Sequence, residues 1–199
     1  MKRIHLLFTA TLLFSCLMAY GSNSKTTLAT EPTNSANILV AYFSCTGNTR
    51  SIGEHVADAL KADLYEIQPE KPYTAADLNY RDSNSRTTLE KNDATVRPAI
   101  SGSVDNMGKY DIVFLGYPIW WGQAPRIIST FLESYDFSNK TIVPFCTSGS
   151  SGVGSSAENL HALCADSATW LSGARLASGS SRSDVVKWIN GLGLDIVAR

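Results

Sequence analysis

The stretch Ile38-Leu39-Val40-Ala41-Tyr42-Phe43-Ser44-Cys45-Thr46-Gly47-Asn48-Thr49 opens with six consecutive apolar residues and stops at a polar turn. An unbroken apolar run of that length suits a parallel strand covered on both faces, whereas a strand wet on one face alternates. Ser51 to Leu60 follows, with Ile52, Val56 and Leu60 four residues apart on one helical face. The same alternation continues along the chain. Leu64–Ile67 reads as a strand, and Asp111–Tyr117 as a buried strand rich in β-branched and aromatic residues. Pro125 stands at a predicted first helical position, with Ile127, Ile128, Phe131 and Leu132 as the apolar stripe. Thr141–Phe145 predicts a strand, Ser156–Leu163 a helix, Trp170–Leu176 a weaker strand and Ser183–Asn190 a final helix. Strands alternating with helices predict an α/β fold, an open parallel sheet with helices on both faces. Pro69 to Lys109 interrupts the pattern with a long polar stretch holding Tyr73, Tyr80, Arg86, Arg97 and Pro98. A loop of that length is uncommon and is usually functional or mobile.

Composition narrows the function. With 199 residues the chain suits one domain, and 44% apolar residues can fill a core. Charged residues are 18%, below the roughly 25% of soluble domains, so a disordered chain is not expected. Seventeen basic and eighteen acidic side chains nearly cancel, leaving no basic footprint for nucleic acid. The four Cys and three His are scattered and form no metal-binding spacing.

Lys2 and Arg3 precede a largely apolar run from Leu6 to Ala19, and Ala19-Tyr20-Gly21 offers a small-x-small cleavage site. The run is shorter than the about 20 residues of a membrane span. Residues 1–21 are therefore expected to be a signal peptide. Leu13-Phe14-Ser15-Cys16 also resembles a lipoprotein cleavage box, which keeps a lipid anchor at Cys16 as an alternative. Export to a periplasmic or envelope-anchored location is the expectation, with the membrane touched only through such an anchor. Cleavage removes Lys2 and Arg3 and no acidic residue, moving the formal charge from −1 to −3. Residues 22–36, rich in Ser, Thr and Asn, read as a flexible leader. The folded domain is expected over 37–199. Cys45, Cys146 and Cys164 then remain, an odd count that favours small buried thiols over a disulfide framework.

In an open α/β sheet, ligands bind beyond the carboxyl ends of the strands where strand order reverses. Three loops open on that edge. In the first, Ser44, Thr46, Gly47, Asn48 and Thr49 lead into a helix, whose N-terminal N–H groups and dipole suit a phosphate monoester. An ordinary capped helix start would look the same. In the second, Pro118, Ile119, Trp120, Trp121 and Gly122 put two adjacent indoles at a strand end, where both cannot easily enter a core. Indole suits stacking on a flat aromatic ligand. In the third, Thr147, Ser148, Gly149, Ser150 and Gly152 let backbone amides come close to a ligand. Together they describe a phosphate and a flat ring system, which is the shape of flavin mononucleotide (FMN).

The three runs Phe43–Thr49, Gly116–Gly122 and Phe145–Gly149 resemble the flavodoxin family, and most closely its exported bacterial members; the resemblance spans about Asn37 to Leu194. It implies a five-stranded sheet in the order 2-1-3-4-5 and non-covalent FMN. By the same resemblance, Ser44 to Thr49 would hold the phosphate and Pro118 to Gly122 would flank the isoalloxazine. Thr147 to Gly152 would take its other side and the pyrimidine edge.

Competing motifs are weaker. Gly152-Val153-Gly154-Ser155-Ser156-Ala157 fits G-x-G-x-x-A, but after a late strand and without the acidic residue about 20 positions on. His55 and His161 read as helix-surface residues, and Cys45 as a spacer in the first loop. The expected function is an FMN-binding redox protein passing electrons to a partner protein or a small acceptor. An FMN-dependent NAD(P)H:quinone-type oxidoreductase and a flavin-less binding module on the same fold are the alternatives. Trp121 on the ring is expected to lower the flavin potential by disfavouring its charged reduced form.

Overall fold

The computed structural model describes residues 36–198. The expected signal peptide, lipoprotein box and leader lie outside these residues, Ala36 apart. In chain order the elements are β1 (Ile38–Tyr42), α1 (Asn48–Leu60), β2 (Asp63–Glu66), β3 (Gln68–Pro69), α2 (Arg86–Asn92) and β4 (Ile100–Ser101). Then come β5 (Ile112–Pro118), α3 (Arg126–Glu133), β6 (Thr141–Thr147), β7 (Thr169–Trp170), β8 (Ala174–Arg175) and α4 (Arg182–Asn190). The main sheet runs β2-β1-β5-β6-β7, with β8 also on β6, and every pairing in it is parallel. Counting its strands along the chain gives the order 2-1-3-4-5, with the fifth strand split in two.

The unbroken apolar runs follow from burial on both faces. Leu39, Ala41 and Phe43 join one core cluster, while Ile38, Val40 and Tyr42 join the other. β5 divides likewise, with Val113, Leu115 and Tyr117 on one side and Ile112 and Phe114 on the other. α3 covers the first face through Ile127, Ile128, Phe131 and Leu132. α1 and α4 cover the second through Ile52, Val56, Leu60, Val185 and Ile189. Gly116 is small because of its neighbour on β6: a Cβ there would lie 2.2 Å from the Phe145 ring.

Several elements depart from their predicted form. The predicted strand over Trp170–Leu176 is two two-residue pieces: the Leu171 N–H still donates to Ile142 O on β6 at 2.9 Å, but Ser172 and Gly173 fall between the pieces, beside Pro144, which has no N–H to donate. The segment predicted as a helix over Ser156–Leu163 is a 3-10 helix at Glu158–Leu163. Pro125 is the residue before α3 rather than its first, with ψ at 147°. The 69–109 stretch is built, not structureless. It holds the antiparallel pair β3–β4, the helix α2 and a 3-10 turn at Met107–Lys109.

Candidate functional site

The first loop bends at Gly47, whose φ of 84° belongs to the left-handed region that glycine enters freely. That bend lets α1 begin at Asn48 with no side-chain cap, so its first-turn N–H groups are free of one. Ser44 Oγ instead accepts from the Gly47 N–H at 3.1 Å, and Asn48 Nδ2 donates to Thr46 Oγ1 at 3.3 Å. Ser44, Thr46, Asn48 and Thr49 all line one cleft of about 510 Å³. Gly47 shapes the loop without lining it. Arg50 turns away to Glu66, 2.6 Å distant, and adds no charge to the cleft.

The second loop is a tight turn. Trp120 and Gln123 exchange backbone hydrogen bonds at 2.9 Å, and the two residues between them, Trp121 and Gly122, have φ of 48° and 76°. Positive φ at both central positions is the type I′ pattern. The indoles diverge. Trp120 is half-buried and meets Phe43 and Tyr73 edge-on at 5.6 and 5.5 Å. Trp121 is 36% exposed. Pro118, Ile119 and both Trp side chains line the cleft, whereas Gly122 does not.

The third loop starts on β6, which extends two residues beyond its predicted end, so Thr147 is its last member. Thr147, Ser148 and Gly149 line the cleft. The Ser148 hydroxyl donates to the Ser151 carbonyl and closes the loop tip, leaving Ser150 and Gly152 exposed and off the cleft wall. Arg175 on β8 donates to the carbonyls of Ser148 and Gly149 at 3.1 and 2.9 Å. The loops are cross-linked: Phe43 N–H donates to Gly116 O and Ile119 N–H to Thr147 O, both at 2.9 Å.

Other cleft residues come from outside the three loops, including the 69–109 stretch that the sequence marks as functional or mobile without assigning it a role. Leu78, Tyr80 and Thr87 belong to the 69–109 insertion, and Ser178 follows β8. Cys45 also lines the cleft, but burial pushes its thiol up to about 12, which makes it an inert apolar filler. Cys45, Cys146 and Cys164 are all free. Among the described residues, no Asp, Glu, Lys, Arg or His lines the cleft. His161 stacks on Trp170 at 4.5 Å, away from it. Among the described residues, no helix is long and apolar enough to cross a membrane.

The fold and site define an open, parallel α/β protein with a neutral cleft at the carboxyl edge, between a helix N-terminus and an aromatic turn. Residues 37–192 match the family model described as Flavodoxin, and the chain belongs to the flavodoxin family. It is similar to a provisionally assigned flavoprotein of Bacteroides eggerthii at 43% identity and TM-score 0.75, covering 80% of this chain and 99% of that one. A second provisionally assigned flavoprotein, from Bacteroides uniformis, is 44% identical with TM-score 0.74, over 78% of this chain and 98% of the other. A Lactobacillus acidophilus flavoprotein solved in complex with FMN shares the fold at 23% identity and TM-score 0.57, over 77% and 99%. No curated protein matches the chain.

Proposed function

We propose that this chain binds FMN in the cleft and serves as an electron carrier. The observation that carries the reading is the pairing, in one 510 Å³ cleft, of the uncapped start of α1 with the exposed Trp121 ring. The donors fit a phosphate monoester. Ser44, Thr46, Asn48 and Thr49 supply hydroxyls and an amide, and the first turn of α1 supplies N–H groups and the positive end of its dipole. The volume falls within the about 300–1,000 Å³ of small-molecule sites. Ile119, Trp120 and Trp121 provide the apolar wall for the ring.

The bound flavin would supply reversible oxidation and reduction. The protein's own part is to bind, orient and partly desolvate. Among the described residues, no side chain lining the cleft is an acid or base suited to moving a proton at neutral pH, since the Cys45 thiol there is held protonated by burial. That lining favours passing electrons over substrate chemistry, and Trp121 leaves the site an exposed edge for a redox partner. The residues of 1–21 support an exported setting for the carrier, at the cell envelope or beyond it.

The test is an absorption spectrum and a calorimetric titration of the purified chain with FMN. Stoichiometric uptake with a perturbed visible band is expected. An uncoloured chain that gives no heat with FMN overturns the reading. Fast oxidation of NAD(P)H by the loaded protein would reassign it as a reductase.

A further inference from the structure

Two aromatic side chains stand out by exposure, Tyr80 at 68% and Trp121 at 36%. They are far apart in sequence and come from different parts of the fold, yet both line the same cleft. Among the described residues, the other strongly exposed large apolar side chains, Leu64, Leu89 and Val197, do not line it. Water contact with a large ring is costly, so two such rings converging on one cavity point to a flat ligand that covers them.

The backbone that presents Tyr80 is firmly tied down. The Thr74 N–H and hydroxyl both donate to Asp77 Oδ2 at 2.8 Å, and Leu78 N–H donates to Thr74 O at 3.1 Å. Asn79 N–H donates to Ala76 O, and Arg81 N–H to Asn79 Oδ1 at 3.1 Å. Thr87, itself buried, reaches back to the Asp77 carbonyl with its hydroxyl at 2.7 Å and its N–H at 3.2 Å. The Tyr80 ring has the Arg81 guanidinium 5.6 Å from its centroid and is otherwise 68% exposed, and a ring on a fixed support pays little ordering entropy when a ligand arrives. Leu78, on the same turn, adds a second apolar side chain to that wall.

Taking the flavin reading above as given, we infer that the insertion completes the ring site, with Tyr80 as a second aromatic wall that stacks on the isoalloxazine alongside Trp121. The insertion then acts as a ligand-binding part of the domain and not as a surface appendage. A tyrosine placed for its ring is replaceable by phenylalanine; one placed for its hydroxyl is not.

The full chain, freed of any bound flavin, is titrated with FMN and with riboflavin, following quenching of flavin emission and the position of the visible band. Tyr80→Ala is expected to weaken both ligands by about three- to tenfold and to reduce the quenching. Tyr80→Phe is expected to keep the affinity and spectrum of the unaltered chain. Because Tyr80 lies outside both core clusters, the melting temperature of the ligand-free protein should not move. Equal binding by Tyr80→Ala, or an equal loss in Tyr80→Phe, overturns the assignment. If the unaltered chain takes up neither flavin, the flavin reading itself fails and the stacking role goes with it.

Discussion

The hydroxyls of Thr49 and Thr147 lie 2.8 Å apart in the buried base of the cleft, although 98 residues separate them in the chain. Thr49 sits in the first turn of α1 and Thr147 ends β6, so the bond ties the helix start to the third loop. Replacing either Thr by Val keeps the shape and leaves the other hydroxyl buried and unpaired. Each single variant should lose about 1–3 kcal/mol of unfolding free energy. The double variant should lose less than the sum of the two, because neither hydroxyl is then stranded. A urea-melt double-mutant cycle measures this directly, and additive losses would show that the pair does not interact.

Trp121 occupies a left-handed backbone conformation, φ 48°, that costs a non-glycine residue about 1 kcal/mol. Its ring is not part of either core cluster. Trp121→Gly should therefore hold or raise the stability of the ligand-free protein, while weakening flavin binding and raising the bound flavin's potential. Trp120→Ala should behave oppositely at the level of folding, losing about 3 kcal/mol because Trp120 packs on Phe43 and Tyr73. Parallel chemical melts and redox titrations of the two variants check the contrast. A destabilised Trp121→Gly would mean that the residue is kept for packing.

What could be read from the sequence, and what could not, follows from how each segment is buried. β1, β5 and β6 were legible because burial on both faces leaves an unbroken apolar run. The lining of the candidate cleft was legible where it falls on their ends, at Ser44, Thr46, Asn48, Thr49, Pro118–Trp121 and Thr147–Gly149. α2 was not, because its buried residues are Thr87 and Glu90, and a seven-residue helix with a polar buried face has no apolar stripe to detect. Tyr80 was noted within the 69–109 stretch but given no role, and Leu78 was not noted. The fifth strand broke beside Pro144 on β6, which has no N–H to donate across the ladder and against which Gly173 packs. α1 started three residues early because a left-handed glycine replaced the side-chain cap that would have marked its start.

The insertion is anchored by a compact polar cluster. Arg86 Nε donates to Glu90 Oε1 at 2.7 Å, Tyr73 OH donates to Glu90 Oε2 at 2.7 Å, and the guanidinium lies 3.9 Å from the centroid of the Tyr73 ring. Glu90 is 7% exposed. Arg86→Met leaves that carboxylate without its cation and should destabilise the protein by about 3 kcal/mol. Adding Glu90→Gln should restore part of the loss. Flavin affinity should follow stability across the set, since Leu78, Tyr80 and Thr87 share this support. Guanidinium melts with matched titrations test it, and a neutral Arg86→Met would remove the anchoring role.

Alkaline pH should weaken the fold. Burial pushes the thiols of Cys146 and Cys164 up to about 11 and that of Cys45 to about 12, from an ordinary value of 9. Above pH 9 the unfolded chain releases these protons first while the native state keeps them. Stability is therefore complete below pH 9 and falls as pH rises toward 11–12. Urea midpoints at pH 7, 9 and 10.5 should decline in that order. Cys45→Ala should flatten the decline relative to the unaltered chain, and a midpoint constant to pH 10.5 would contradict the buried thiols.

Arg175 holds the third loop from behind. Its guanidinium donates to Ser148 Oγ and to the carbonyls of Ser148 and Gly149, and no carboxylate of the described residues lies within ion-pair distance of it. An uncompensated cation beside two cleft-lining residues favours a ligand that gains negative charge, and so should raise the potential of a bound flavin. Arg175→Ala removes both the hydrogen bonds and the charge; Arg175→Lys keeps the charge and loses the fork geometry. The alanine variant should bind FMN about tenfold more weakly, on the scale of one charged hydrogen bond, and at a lower potential. The lysine variant should recover the potential more fully than the affinity. Titration calorimetry and potentiometry on the three proteins separate the two effects, and equal potentials in all three would show that the cation is too well screened to act on the ligand.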